Sequence, residues 1–85
     1  MPEICRFWGI VIYMYMDDHA PPHFHAEYGD YKVLVEIKTR ISDGRFPPRT
    51  LRAVIEWAEL HEAELLKNWD MLQAGATPMK IEPLE

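Results

Sequence analysis

Gly29-Asp30, set between two stretches of alternating residues, constrains this chain more than any other feature in it. Glycine followed by aspartate suits a two-residue hairpin loop with the glycine at the first central position. Such a loop forces paired positions to sum to 59: Tyr28 faces Tyr31, Ala26 faces Val33, Phe24 faces Val35 and His23 faces Glu36. The register gathers Phe24, Ala26, Tyr28, Tyr31, Val33, Val35 and Ile37 on one face of the ribbon. His23, His25, Glu27, Lys32, Leu34, Glu36 and Lys38 take the other, solvent-facing side. A slip of one residue would mix the two sets, so the turn and the pattern support each other.

The remaining elements follow from periodicity. Ile4 to Met16 is rich in β-branched and aromatic residues and mostly apolar at both odd and even positions. That predicts one strand covered on both faces, with Gly9 marking a bulge or a close backbone approach. Asp17 to Pro22 reads as a turn followed by an extended run, because the Pro21-Pro22 pair restricts φ. Asp43-Gly44 predicts a second turn that folds Arg45-Phe46 back against Arg40-Ile41. Between Arg49 and Ala74, Leu51, Val54, Ile55, Ala58, Leu65, Trp69 and Leu72 recur at helical spacing, with His61 and Glu62 interrupting the stripe. Gly75 and Pro78 close that helix. Ile81 and Leu84 suit the tail, Met79 to Leu84, to docking as an edge strand. The predicted architecture is α+β: a three- or four-stranded antiparallel sheet packed on one long C-terminal amphipathic helix. Residues 1–85 form a single domain, since 85 residues leave no room for two cores.

Composition narrows the function classes. A chain that is 48% apolar and 27% charged is an ordinary globular one. No apolar run approaches the roughly 18 residues of a membrane helix, and Met1-Pro2-Glu3 lacks the layout of a secretion signal. One cysteine, Cys5, makes no internal disulfide, so the expected compartment is a reducing cytoplasm and the thiol is buried packing. A net charge of −5 argues against a general nucleic-acid coat protein. The glycine-rich phosphate loop, the Cys-x-x-Cys pair and the serine nucleophile motif are all missing.

The sharpest chemical feature is His19-Ala20-Pro21-Pro22-His23-Phe24-His25, which follows two aspartates. On a strand, His23 and His25 project to one face about 6.6 Å apart at the backbone. From there two imidazoles can converge on one ion, a good two-ligand fragment for zinc or another divalent transition metal. His19 completes the set His19, His23, His25, unless Asp17 or Asp18 does so instead. Glu27 lies about 13 Å from His23 along the strand, too far to share that ion. Glu36, opposite His23, is placed to orient the ring and raise its basicity.

The same residues serve a metal-free reading, in which His23 or His25 is a general base and Glu36 its partner. Ribonucleolytic cleavage would need a cation as well, and residues 38–52 hold Lys38, Arg40, Arg45, Arg49 and Arg52 against Asp43, a local balance of +4. Arg40, Arg45, Arg49 and Arg52 are therefore candidate RNA or phosphate contacts, with Arg49 and Arg52 near a helix N-terminus. Plain structural roles compete with each assignment. Polar residues on a half-exposed strand and a basic stretch on a solvated face need no ligand. His61 reads as a boundary histidine, Trp8, Trp57 and Trp69 as core or interface anchors, and Glu56, Glu59, Glu62 and Glu64 as a solvated helix flank.

Several segments together resemble the bacterial domain of unknown function numbered 4160. They are Pro2 to Phe7, Gly9 to Tyr15, His19 to His25 with Tyr28-Gly29, Ile55-Glu56-Trp57 with His61, Glu64-Leu65-Leu66, Asn68-Trp69, and Ile81 to Leu84. The resemblance carries no established chemistry. It implies a small cognate partner protein encoded nearby, in an arrangement like a toxin–antitoxin module, and with it an RNA-directed activity. A homodimer is a further expectation, and a membrane role is not.

Overall fold

The computed structural model describes residues 3–16 and 18–84. Five strands form one antiparallel meander, in the order β1 (Glu3–Phe7), β2 (Ile10–Tyr13), β3 (His23–Tyr28), β4 (Tyr31–Glu36) and β5 (Ser42–Arg45). Two helices follow, α1 (Pro48–Leu60) and α2 (Glu62–Gln73). Among the described residues no helix is long and apolar enough to cross a membrane.

The β3–β4 hairpin has the register that its loop demands: Phe24 opposite Val35, Ala26 opposite Val33, Tyr28 opposite Tyr31 and His23 opposite Glu36. Columns of side chains then run across the sheet. Cys5, Ile12, Ala26, Val33 and Gly44 share one inward column, while Tyr13, His25, Leu34 and Asp43 share an outward one. The inward set joins Val54, Trp57, Ala58, Leu65, Trp69 and Leu72 from the helices in a single core. Trp57 is fully buried there, with Phe24 5.7 Å away edge to face and Phe7 at 5.9 Å. Burial pushes the Cys5 thiol up to about 11, so it stays protonated and inert at neutral pH.

The sheet has five strands in place of the expected three or four, and four further expectations are corrected. The Ile4–Met16 segment is not one strand but the β1–β2 hairpin, turned at Trp8 (φ 52°) and Gly9 (φ 81°). Two successive positive φ values make the turn whose hand suits strand twist, and tryptophan is an unfavoured residue at its first position. Asp43 and Gly44 are not a turn; they lie inside β5, opposite Leu34 and Val33. The chain reverses instead at 37–40, where Glu36 accepts from Arg40 N–H, donates to Ile41 O, and Arg40 takes φ 63°. Gly44 serves a close approach, since a Cβ there would lie 2.5 Å from Lys32 O. The long helix is two, because His61 leaves helical geometry (φ −120°, ψ 25°), which turns α2 onto its own part of the core. Finally, the tail docks without becoming a strand.

That docking is specific. Ile81 is buried and donates its N–H to Ile4 O at 2.9 Å, along the outer edge of β1. Asn68, itself buried, both donates to Met79 O (2.8 Å) and accepts from Met79 N–H (2.9 Å). Trp57 Nε1 donates to Glu82 O at 2.8 Å. β1 is thereby covered and β5 is left as the open edge.

Asn68→Ala removes two hydrogen bonds from a buried position and should cost about 2 kcal/mol, read as a lower urea midpoint. Asn68→Ala at wild-type stability would show that the clip on Met79 contributes nothing to the fold. Gly44→Ala should cost about 2 kcal/mol or more, because the obstructing atoms are backbone and the φ of 129° is unfavourable for other residues.

Candidate metal centre

β3 supplies two of the three groups that meet at one end of the sheet. Its pleat places His23 and His25 on one side, with ring centroids 5.2 Å apart at 71°. The loop before β3 passes through a cis Ala20–Pro21 peptide and brings Asp18 over the same spot. His23 Nε2 lies 3.2 Å and His25 Nε2 3.1 Å from a single oxygen, Asp18 Oδ2. Among the described residues this is the group of histidine, cysteine and acidic side chains able to converge on one ion, with donor atoms all within 4.8 Å of one another.

Neighbouring groups hold the trio in place. His23 Nδ1 is 2.9 Å from Pro21 O, and a carbonyl only accepts, so Nδ1 carries the proton and donates it there. With the proton on Nδ1, Nε2 either carries a second proton to Asp18 Oδ2 or turns a lone pair toward that oxygen. Lone pair against lone pair is repulsive until a cation, a proton or a metal ion, sits between them. Trp69 of α2 packs on the His23 ring at 5.3 Å, and Gln73 Nε2 donates to the Asp18 carbonyl at 3.4 Å. Tyr15 meets His25 edge-on at 4.6 Å. Desolvation, then the Glu27 carboxylate, push the Tyr13 and Tyr15 hydroxyls above the usual phenol range, so both stay protonated. Tyr13 donates to Glu27 Oε1 at 3.4 Å.

The predicted residues fall out as follows. His23 and His25 come together with Asp18; His19 is exposed and outside the trio, and Asp17 lies outside the described residues. His23 is not solvent-facing: it is buried, because α2 lays Trp69 over it. Glu36 keeps its place opposite His23 but does not orient it. Its Oε1 accepts from Thr39 Oγ1 at 2.9 Å, inside the turn, and Pro21 O takes the imidazole proton instead. Arg40 is half-buried and tied to Glu62 at 2.6 Å, which occupies it with a carboxylate. Arg45, Arg49 and Arg52 are exposed, Arg45 on the open edge strand and the other two on α1. His61 sits at the helix break against Trp57 (5.7 Å) with Nδ1 2.5 Å from Glu64 Oε1, a boundary histidine. The orienting role of the Pro21 carbonyl had no signature in residue type, since any residue carries that group.

Comparison with curated proteins and with solved structures gives no match. The family described as Domain of unknown function (DUF4160) matches residues 9–70, a span that includes the His19–His25 segment, the β3–β4 hairpin and α1. The resemblances at Pro2–Phe7 and Ile81–Leu84 fall outside that span. Covering well over half of the sequence, the match makes this chain a member of the DUF4160 family.

Proposed function

We propose that the protein binds a divalent transition-metal ion, zinc foremost, through Asp18 Oδ2, His23 Nε2 and His25 Nε2, leaving one coordination position for water or an outside ligand. One observation carries this reading. Two donors each about 2 Å from a tetrahedral ion stand about 3.3 Å apart, and the two nitrogen–oxygen separations here are 3.2 and 3.1 Å. The Pro21 carbonyl supplies what a ligating histidine usually has, an acceptor on the nitrogen away from the metal that sets the tautomer. Three protein ligands and an open position describe a reactive rather than a closed structural site. A metal-bound water with lowered pKa would then stand among Tyr15, Trp69 and the two imidazoles.

The metal itself is the test. Protein titrated with zinc should bind one ion per chain, and at about a hundredfold excess over Kd the gain of roughly 2.7 kcal/mol should raise Tm by on the order of 10 °C. Asp18→Asn and His25→Ala, both at half-buried positions, should keep the apo fold and lose the response, whereas His19→Ala and Glu36→Gln should retain it. No bound ion and no melting shift would reject the centre.

A second reading concerns the partner. The resemblance to a two-gene, toxin–antitoxin-like module implies a small cognate protein, with RNA as a downstream target, and the open β5 edge favours pairing by strand addition. The tail is bound along β1, which favours β5 as the edge offered to a partner. On mixing with the neighbouring gene's product, amide exchange should slow across Ser42–Arg45. Slowing confined to other elements, or none, would exclude that edge.

A further inference from the structure

At the other end of β3, about 16 Å along the strand from His23 and about 10 Å from His25, Trp8, Ile10, Tyr28, Arg49, Thr50 and Ala53 line a groove of about 270 Å³. Two observations about Trp8 lack a structural purpose. Trp8 is 60% exposed, whereas Trp57 and Trp69 are buried. It also occupies a left-handed turn position (φ 52°), which asparagine or glycine fills with less strain. A bulky side chain kept both strained and in solvent points to use rather than packing. Phe7 meets the indole at 81° and a centroid distance of 5.8 Å, which steadies the ring.

The opposite wall supplies charge. The chain carries 14 carboxylate residues and a net charge of −5. Yet among the described residues no acidic side chain pairs with Arg49, although Arg6 and Arg40 each have such a partner. Arg49 and Thr50 stand in the first turn of α1, which has neither an acidic residue nor a side-chain cap to offset its positive end.

We propose that this groove binds one phosphorylated nucleotide unit, its base stacked on Trp8 and its phosphate held by Arg49 with Thr50. An indole accepts any base face and a guanidinium takes phosphate bidentately. The volume, just under the roughly 300 Å³ at which small-molecule pockets usually begin, suits a single unit rather than a stretch of polymer. Such a unit comes either as a free nucleotide or as the phosphorylated end of a single strand. The site is separate from the Asp18–His23–His25 centre and does not depend on it.

The experiment is a titration with chelator present throughout, so that the metal centre has no influence. The probes are adenosine monophosphate, adenosine, inorganic phosphate and a 5′-phosphorylated single-stranded oligoadenylate, followed by tryptophan fluorescence and calorimetry. Adenosine monophosphate should quench Trp8 saturably and bind about tenfold or more tightly than adenosine or phosphate alone. Tighter binding of the oligonucleotide assigns the groove to strand ends, and weaker binding assigns it to free nucleotide. Arg49→Gln should weaken binding about tenfold and flatten its salt dependence. Trp8→Asn, which suits the turn, should abolish the quench and weaken binding while Tm rises, separating recognition from folding. No saturable quench by either nucleotide at low salt, or full affinity in both variants, would overturn the proposal.

Discussion

The two-residue period of β3 is the constraint on which the rest of the molecule depends. Because alternate side chains leave opposite faces, Phe24 and Ala26 go to the core with Trp57 while His23 and His25 are held together on the other side. One pleat therefore anchors the hydrophobic core and spaces two imidazoles. The loop that brings Asp18 to them and the α2 residues that wall them in, Trp69 and Gln73, act on a pair whose separation the strand has already set.

A buried imidazole nitrogen facing a carboxylate is costly unless a proton or a metal ion lies between them. Here the compensation has a defined place. With the His23 Nδ1 proton committed to Pro21 O, Nε2 and Asp18 Oδ2 face each other across 3.2 Å, and His25 Nε2 approaches the same oxygen. Protons satisfy the two nitrogen–oxygen pairs one by one, His25 donating from Nε2 to Asp18 Oδ2 at 3.1 Å. A divalent ion would bridge both nitrogens and the oxygen at once, and the two nitrogen–oxygen separations, 3.2 and 3.1 Å, match a tetrahedral edge.

Much of this was readable from residue order, where local rules and packing agree. The β3–β4 register followed from Gly29-Asp30 and alternation, and so did the shared face of His23 and His25. Asp18 was visible only as an alternative to His19, because the reach of the Pro21-Pro22 loop is a three-dimensional property. The split of Ile4–Met16 was hidden because Trp8-Gly9 is an unusual turn pair within a mostly apolar stretch. Asp43-Gly44 misled in the opposite sense: its glycine answers to the Lys32 backbone across the sheet rather than to a turn. The helix break at His61 showed as a gap in the apolar stripe, but that the gap ends one helix and starts another was not marked by a glycine or proline. Burial of His23 came from Trp69, forty-six residues later, beyond the reach of any pattern within the strand.

The central claim is that Asp18, His23 and His25 are arranged around a cation. Nitrogen NMR of the imidazole rings, recorded with and without one equivalent of zinc, tests it most directly. The account predicts that the Nδ1 proton of His23 is present in both states and that the Nε2 resonances of His23 and His25 move together to metal-bound positions. Rings that keep their shifts when zinc is added, or a His23 protonated on Nε2 alone, would contradict it.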